Sequence, residues 1–283
     1  MKILTDSASD LPLQFYQEND VTLFPLKVLV DEKEYDDLVS ITPEELYLAQ
    51  AQNKNTSTSQ VSPLVFEEVF TKMAKNNEDG IYICFSSALS GTYATAQMIL
   101  NQVKETYPNF QLTIFDTKCA SLGEGLVVMT AVNLLKEGKS KQEILDAIEY
   151  TATHVEHLFT VDDLDHLAKG GRLSKTSALV GGLLNIKPLL CVEDGKLTPL
   201  EKHRGKKKVL KRMIELMREN GTNLSEQTIT ICQANCMDTA LQLKQTIEKE
   251  FAPKEVYINS IGAVIGSHVG AGTLGLFFIN DNK

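Results

Sequence analysis

The chain has 283 residues, 43% hydrophobic and 23% charged, with a net charge of −9. That length exceeds one ordinary small domain and suits two, each with a sizeable core. The acidic balance argues against a general nucleic-acid binder, because phosphate contacts need positive charge. The cysteines, Cys84, Cys119, Cys191, Cys232 and Cys236, are odd in number and widely spaced. Cys232-Gln-Ala-Asn-Cys236 is neither a CxxC nor matched by a second pair. A reduced, cytoplasmic protein is expected. The opening MKILTDSASD lacks the apolar stretch of a signal peptide. No run approaches the roughly 18 apolar residues of a membrane span.

In chain order, residues 2–5 read as a short strand and 21–30 as a second, longer apolar run. Thr42-Pro43-Glu44-Glu45 opens a helix: Thr42 caps, Pro43 suits the first turn, and Glu45 completes a capping box. Ser62-Pro63 opens another, to about residue 75. A strand over 81–85, a helix over about 90–105 and a strand over 111–115 follow. Helices are then expected over 122–136 and 141–153, divided by Gly138, with Ser140 as cap. This alternation predicts a largely parallel sheet flanked by helices, an α/β domain over residues 1–156.

The second half reads as a mixed or antiparallel α/β domain over 157–283. A strand is expected over 158–161 and a short helix over 162–169, with a small-residue helix over 177–185. Residues 187–192 and 196–200 form a hairpin about Asp194-Gly195, a strong turn signal. Helices over 206–219 and 239–250 alternate with strands over 228–233 and 255–260. A glycine-rich segment and an apolar run over 274–279 close the chain.

Several residue sets invite a chemical reading. Gly270-Ala271-Gly272-Thr273-Leu274-Gly275 fits GxGxxG, but the strand–helix context of a dinucleotide site is missing. The more informative stretch is Gly266-Ser267-His268-Val269-Gly270, where glycines let an imidazole approach a ligand closely. A buried turn with a satisfied histidine is the plainer alternative. His154 and His157, near Asp162, Asp163, Asp165 and His166, are metal-ligand types, yet capping and solvated charge explain them as well. Seven Lys and Arg fall within residues 202–212. They form either an exposed helix face or an attraction for an anionic ligand or acidic partner surface. A DNA-binding regulator using this run is disfavoured by the overall charge.

The hydroxyl clusters at 56–62 and 86–92 each lead from a loop into an expected helix. Free N–H groups and hydroxyls at a positive dipole end make an anion site, although ordinary capping explains any one serine. Ser90 lacks the leading glycine of the GxSxG nucleophile elbow. A serine hydrolase acting on lipid esters stays open, with Ser90 and His268 as the reactive pair and Asp6, Asp116 or Asp162 orienting the imidazole. There is no P-loop, no kinase glycine loop and no HExxH. The chain offers anion handles without an engine for phosphoryl transfer, so no catalytic residue and no metal ligand is assigned.

KILTDSASDLP at the start, TSTSQVSP at 56–63, SSALSGTYATA at 86–96, DTKCASLGEG at 116–125, VDDLDHLAKGGRLSK at 161–175, GGLLNIKPLL at 181–190 and GSHVGAG at 266–272 together resemble the DegV family of bacterial lipid-binding proteins, essentially end to end. Val61 departs from the family's more typical TSQPSP run. The resemblance implies a two-domain α/β protein that holds one long-chain fatty acid between its domains, without a cofactor. It further implies a non-catalytic subunit that presents the carboxylate to a separate ATP-using fatty acid kinase, whose acyl-phosphate product feeds phospholipid synthesis. Carried over residue by residue, Thr58, Ser90 and His268 are the expected carboxylate contacts, with Ser59 and Gly91 adding donors. Arg172 and Arg204 are expected near the carboxylate or at the kinase-docking face. The expected partners are the fatty acid, the kinase's catalytic subunit and, transiently, a membrane surface; nucleic acid is not among them. Charge-assisted bonds of roughly 1.5–3 kcal/mol each set against about 0.8 kcal/mol per buried methylene predict binding driven by the tail, with the head group fixing orientation. Residues 178–184, a small-residue segment, suit a wall of the tunnel, although core packing explains them equally well.

Overall fold

The computed structural model describes residues 1–173 and 185–283. The helix expected over 177–185 and the wall expected over 178–184 lie, but for Asn185, outside the described residues. The first half runs β1 (Lys2–Asp6), α1 (Leu13–Glu18), β2 (Val21–Phe24), β3 (Lys27–Val30), β4 (Lys33–Asp36), α2 (Pro43–Ala51), β5 (Thr56–Ser59), α3 (Pro63–Lys75), β6 (Gly80–Cys84), α4 (Thr92–Thr106), β7 (Leu112–Asp116), α5 (Leu122–Lys136) and α6 (Lys141–His154). The second runs β8 (Val155–Thr160), α7 (Asp165–Lys169), β9 (Ile186–Glu193), β10 (Lys196–Arg204), α8 (Lys206–Asn220), β11 (Thr228–Gln233), α9 (Met237–Phe251), β12 (Glu255–Ser260), α10 (Ala263–Val269) and β13 (Leu274–Ile279).

The result is a two-domain α/β fold. Strands β2-β1-β6-β7 form a parallel four-stranded sheet. Its order reverses between β1 and β6, so the loops after these strands diverge and leave a crevice at their carboxyl ends. Asp6 sits at that point and accepts hydrogen bonds from the Phe85 N–H (3.0 Å) and the Tyr82 hydroxyl (2.9 Å), tying the two strand ends together. Beneath them Phe24, Phe66, Phe70 and Tyr82 interlock, with Phe24 and Phe66 centroids 4.7 Å apart.

The second sheet has six strands in the order β10-β9-β8-β13-β11-β12, antiparallel except for β11 and β12. Period-two alternation assigns its faces. Leu158, Leu274, Leu276 and Phe278 join Val209 and Met213 of α8 and Leu243 and Ile247 of α9 in one core. Phe159 and Phe277 belong instead to the core shared with the first domain. The inner face of this sheet therefore looks towards the crevice.

Local signals behave as expected where they are complete. The α2 capping box closes with Thr42 N–H to Glu45 at 2.8 Å and Glu45 N–H to Thr42 at 3.2 Å. Ser140 and Glu143 form a second box at α6. Three expectations change. The apolar run 21–30 breaks at Pro25, which cannot donate to a ladder; the chain leaves the parallel sheet there and enters a small antiparallel sheet, β4-β3-β5. The hydroxyl stretch before Ser62, read as a loop, supplies β5, because Thr56 and Thr58 alternate with Ser57 and Ser59 and pair along β3. The glycine-rich segment near the C-terminus contains α10, packed on α2, α7 and β5.

Candidate functional site

α10 is only seven residues long and carries Gly266, Ser267 and three β-branched residues, so its propensity is poor. It forms because two buried carboxylates from the first domain receive its N-terminal donors. Asp10 accepts from the Gly262 N–H at 2.8 Å and from the Ser121 hydroxyl, and Asp37 accepts from the Ala263 N–H at 2.8 Å. Farther along, Gln50 donates to the Gly266 carbonyl at 3.2 Å. These contacts seat His268 against β5, where its Nε2 lies 2.7 Å from the Thr58 hydroxyl.

The other ring nitrogen of His268, Nδ1, is buried without a hydrogen-bond partner. It faces the α-carbon of Gly170, where a methyl group would sit 2.1 Å away. A bare nitrogen lone pair suits that contact better than an N–H, which puts the proton on Nε2. The imidazole then donates to Thr58, and the Thr58 hydroxyl proton is free to turn to an anion. Burial first, and the neighbouring Arg172 and His166 second, depress His268 to about 4. The ring is neutral at pH 7 and works by hydrogen bonding rather than by charge.

Ser90 closes the start of α4. Its oxygen accepts from the Thr92 N–H at 3.2 Å and lies 2.9 Å from the Thr92 hydroxyl. When Thr92 donates, the Ser90 proton can point into the crevice. Arg172 leaves the end of α7 and bridges the two loops, its Nε donating to the Leu89 carbonyl at 3.1 Å and its Nη1 to the Gly170 carbonyl at 2.7 Å.

Thr58, Ser59, Ser90, Gly91, Arg172 and His268 thus stand together at one end of a cavity of about 300 Å³. Beyond them its walls are mostly apolar and include Phe85, Leu167, Val264, Phe159 and Phe277. Both domains contribute to it. Arg204 is not in this group: it is exposed at the end of β10, beside the lysines that open α8. Within that basic run Arg212 is engaged by Glu201 and Glu219. The dipole of α3 does not act on Thr58 and Ser59, because both lie on β5 rather than at a helix start. His154 stacks on Tyr150 at 4.2 Å on the surface, whereas His157 is buried in the cavity wall, so the two are not joint ligands.

The triad chemistry is not assembled. His268 Nε2 pairs with Thr58, and its Nδ1 meets Gly170 instead of a carboxylate. Asp6 is taken up by backbone and tyrosine donors, Asp116 by Ser87 and Lys118, and Asp162 by Lys187.

Asp10, Asp37 and Gly170 escaped the sequence reading. Each acts on a segment more than 90 positions away, and the local pattern of an aspartate or a second glycine says nothing of that partner.

A family model described as "Uncharacterised protein, DegV family" matches residues 1–281. The chain belongs to the DegV family. A DegV domain-containing protein of Clostridium perfringens is 40% identical over 99% of this chain and 98% of its own. Among solved structures, a DegV family protein from Thermus thermophilus, described for its fatty acid binding, superposes with a TM-score of 0.90 at 30% identity, covering 99% of each chain. DegV from Bacillus subtilis, a fatty acid binding protein, matches at 0.87 with 28% identity over 99% of this chain and 98% of that one. DegV proteins therefore include fatty-acid-binding proteins with this fold. Among the described residues of this DegV protein, no helix is long and apolar enough to cross a membrane.

His157 yields a prediction of its own. Burial drives its imidazole down to about 3, against an ordinary value near 6.5. The unfolded chain then binds one more proton than the folded one between those values. Stability from this group is full above about pH 6.5 and is lost as pH falls towards 3. A His157→Asn variant should show a flatter decline of the urea midpoint between pH 6.5 and 4, by up to one proton, or about 1.4 kcal/mol per pH unit. Unchanged slopes would contradict the assignment.

Proposed function

We propose that this protein binds one long-chain fatty acid between its domains, 1–156 and 157–283. The carboxylate rests on Thr58, Ser59, Ser90, Gly91 and His268, with Arg172 beside it. The observation that carries this reading is the cavity itself: hydroxyls, an imidazole and a guanidinium gathered together, with mostly aliphatic and aromatic walls over the rest. That asymmetry matches an amphiphile with a single anionic head, and the fatty acids held by its structural relatives are such molecules. Native mass spectrometry of the protein purified from a bacterial host should show a bound acyl chain. Ligand-free protein with no measurable fatty-acid affinity would refute the reading.

The role that follows is presentation rather than catalysis. A buried tail and a head group at the cavity's polar end leave the carboxylate for a separate ATP-dependent kinase. The acyl-phosphate so formed would supply phospholipid synthesis, in the cytoplasm, with transient contact at a membrane surface when the chain is loaded. Removing one head-group donor should cost little of the tail-driven affinity. Ser90→Ala is expected to weaken fatty-acid binding about tenfold, measured by displacement of a fluorescent fatty acid. Arg204→Ala, which lies outside the cavity, should leave that affinity unchanged and slow acyl-phosphate formation by the kinase. Loss of lipid binding in Arg204→Ala with kinase contact intact would reverse this division of roles.

A further inference from the structure

A row of cavity-lining side chains crosses the six-stranded sheet. His157 on β8 pairs with Phe277 on β13, and Val192 on β9 pairs with Leu197 on β10. In the β8–β9 pairing Phe159 lies opposite Leu190; continued by two residues, the register sets Val192 opposite His157. Paired positions share a face, so Phe277, His157, Val192 and Leu197 form one bar over four adjacent strands. All four line the cavity. Thr273, beside α10 and just before β13, and Phe277 of the bar are four residues apart, or about 13 Å along the strand. His157 is fixed within it, its ring edge-on to Phe277 at 5.3 Å and close enough to Gly123 that a methyl there would lie 2.1 Å from Nε2.

Behind the bar lies a second pocket of about 400 Å³, opening to the surface beside the β9–β10 turn. It shares two residues with the first cavity, His157 and Val192. Its turn is pinned from the first domain by the Ser86 hydroxyl, which donates to the Gly195 carbonyl at 2.8 Å. The two spaces are thus separated by the thickness of these two side chains.

We infer that His157 and Val192 are the stop that sets the longest acyl chain this protein accepts, and that the outer pocket is the room a longer chain would enter if the stop were trimmed. The inference rests on the fatty-acid reading above. Its mechanism is steric. A methyl end reaching the bar must fold back or push the carboxylate out of its seat, so added methylenes bring no further burial.

The test is competition among saturated fatty acids of 14 to 22 carbons for wild type, His157→Ala and Val192→Ala, read by native mass spectrometry. Wild type should show a sharp upper length limit. Each variant should move that limit by two or more carbons. The ratio of the first excluded chain to the preferred one should rise about tenfold, since each newly buried methylene is worth about fourfold. Val192→Ala deletes only two methyl carbons and keeps the question answerable if His157→Ala fails to fold. Intact binding with an unmoved limit in a folded variant would overturn the inference alone. No uptake of any chain by wild type would bring down the fatty-acid reading and this inference with it.

Discussion

Asp37→Ala is expected to destabilise the protein by about 2–4 kcal/mol and to abolish fatty-acid binding at concentrations that saturate wild type. Asp37 is fully buried, in the first domain, and its carboxylate caps the first turn of α10 in the second. Deleting it leaves the Ala263 N–H buried without a partner and removes negative charge from a positive helix end. Asp10 is already committed to the neighbouring Gly262 N–H and the Ser121 hydroxyl. A helix of only seven residues, with Gly266 and Ser267 inside it, has little propensity with which to hold its place, so His268 and the Thr58 contact go with it. A fall in melting temperature on the order of 5–10 °C should accompany the loss. Asp37→Asn, which keeps an acceptor, should recover most of the binding. Burial pushes the Asp37 carboxyl up to about 6 from an ordinary value near 4. A raised value in the fold means stability from this group is full below about pH 4 and declines as pH rises through 6. The asparagine variant, which does not ionise, should therefore compare better with wild type at pH 7 than at pH 4. Wild-type binding by Asp37→Ala would show that α10 is held by other means.

The second large effect concerns the tail. Ala120→Phe is expected to reduce fatty-acid affinity by at least a hundredfold while leaving the fold intact. Ala120 lies between β7 and α5, half-buried on the cavity wall at the margin of the core. A phenyl ring there projects into space that the acyl chain would use, so the usual penalty for overpacking a dense interior is small. Displacing about four methylenes at about 0.8 kcal/mol each forfeits roughly 3 kcal/mol, more than the loss of a single head-group bond. Isothermal titration with palmitate would report it, and circular dichroism would confirm the fold. If Ser90→Ala proved the more damaging of the two, the head group and not the tail would dominate binding.

These two variants mark where the sequence was readable. Ser90, Thr58 and His268 stood out because hydroxyl clusters and a glycine-flanked imidazole are unusual locally, and the family resemblance gave them a common purpose. Their meeting in space was not visible. Thr58 reaches His268 only because Pro25 diverts the chain out of the parallel sheet and lets β3 recruit a stretch of serines and threonines as a strand. Residue 157 carried only a weak signal, as one histidine among several. Its place in the cavity wall follows from β8 pairing with β13, across more than a hundred residues of chain.

The amino-acid sequence by itself determined the helices with complete caps, the buried strands with period-two alternation, the Asp194-Gly195 hairpin and the family. These depend on interactions within a few residues, or on motifs that survive as written. The tertiary structure alone decided that α10 would be a helix, that Asp10 and Asp37 would cap it, and that Gly170 would make room for an imidazole. It also decided where the cavity stops. Each of those outcomes is a contact between segments distant in the chain, some across the two domains and some within the second, and its energy exists only once those segments have folded together.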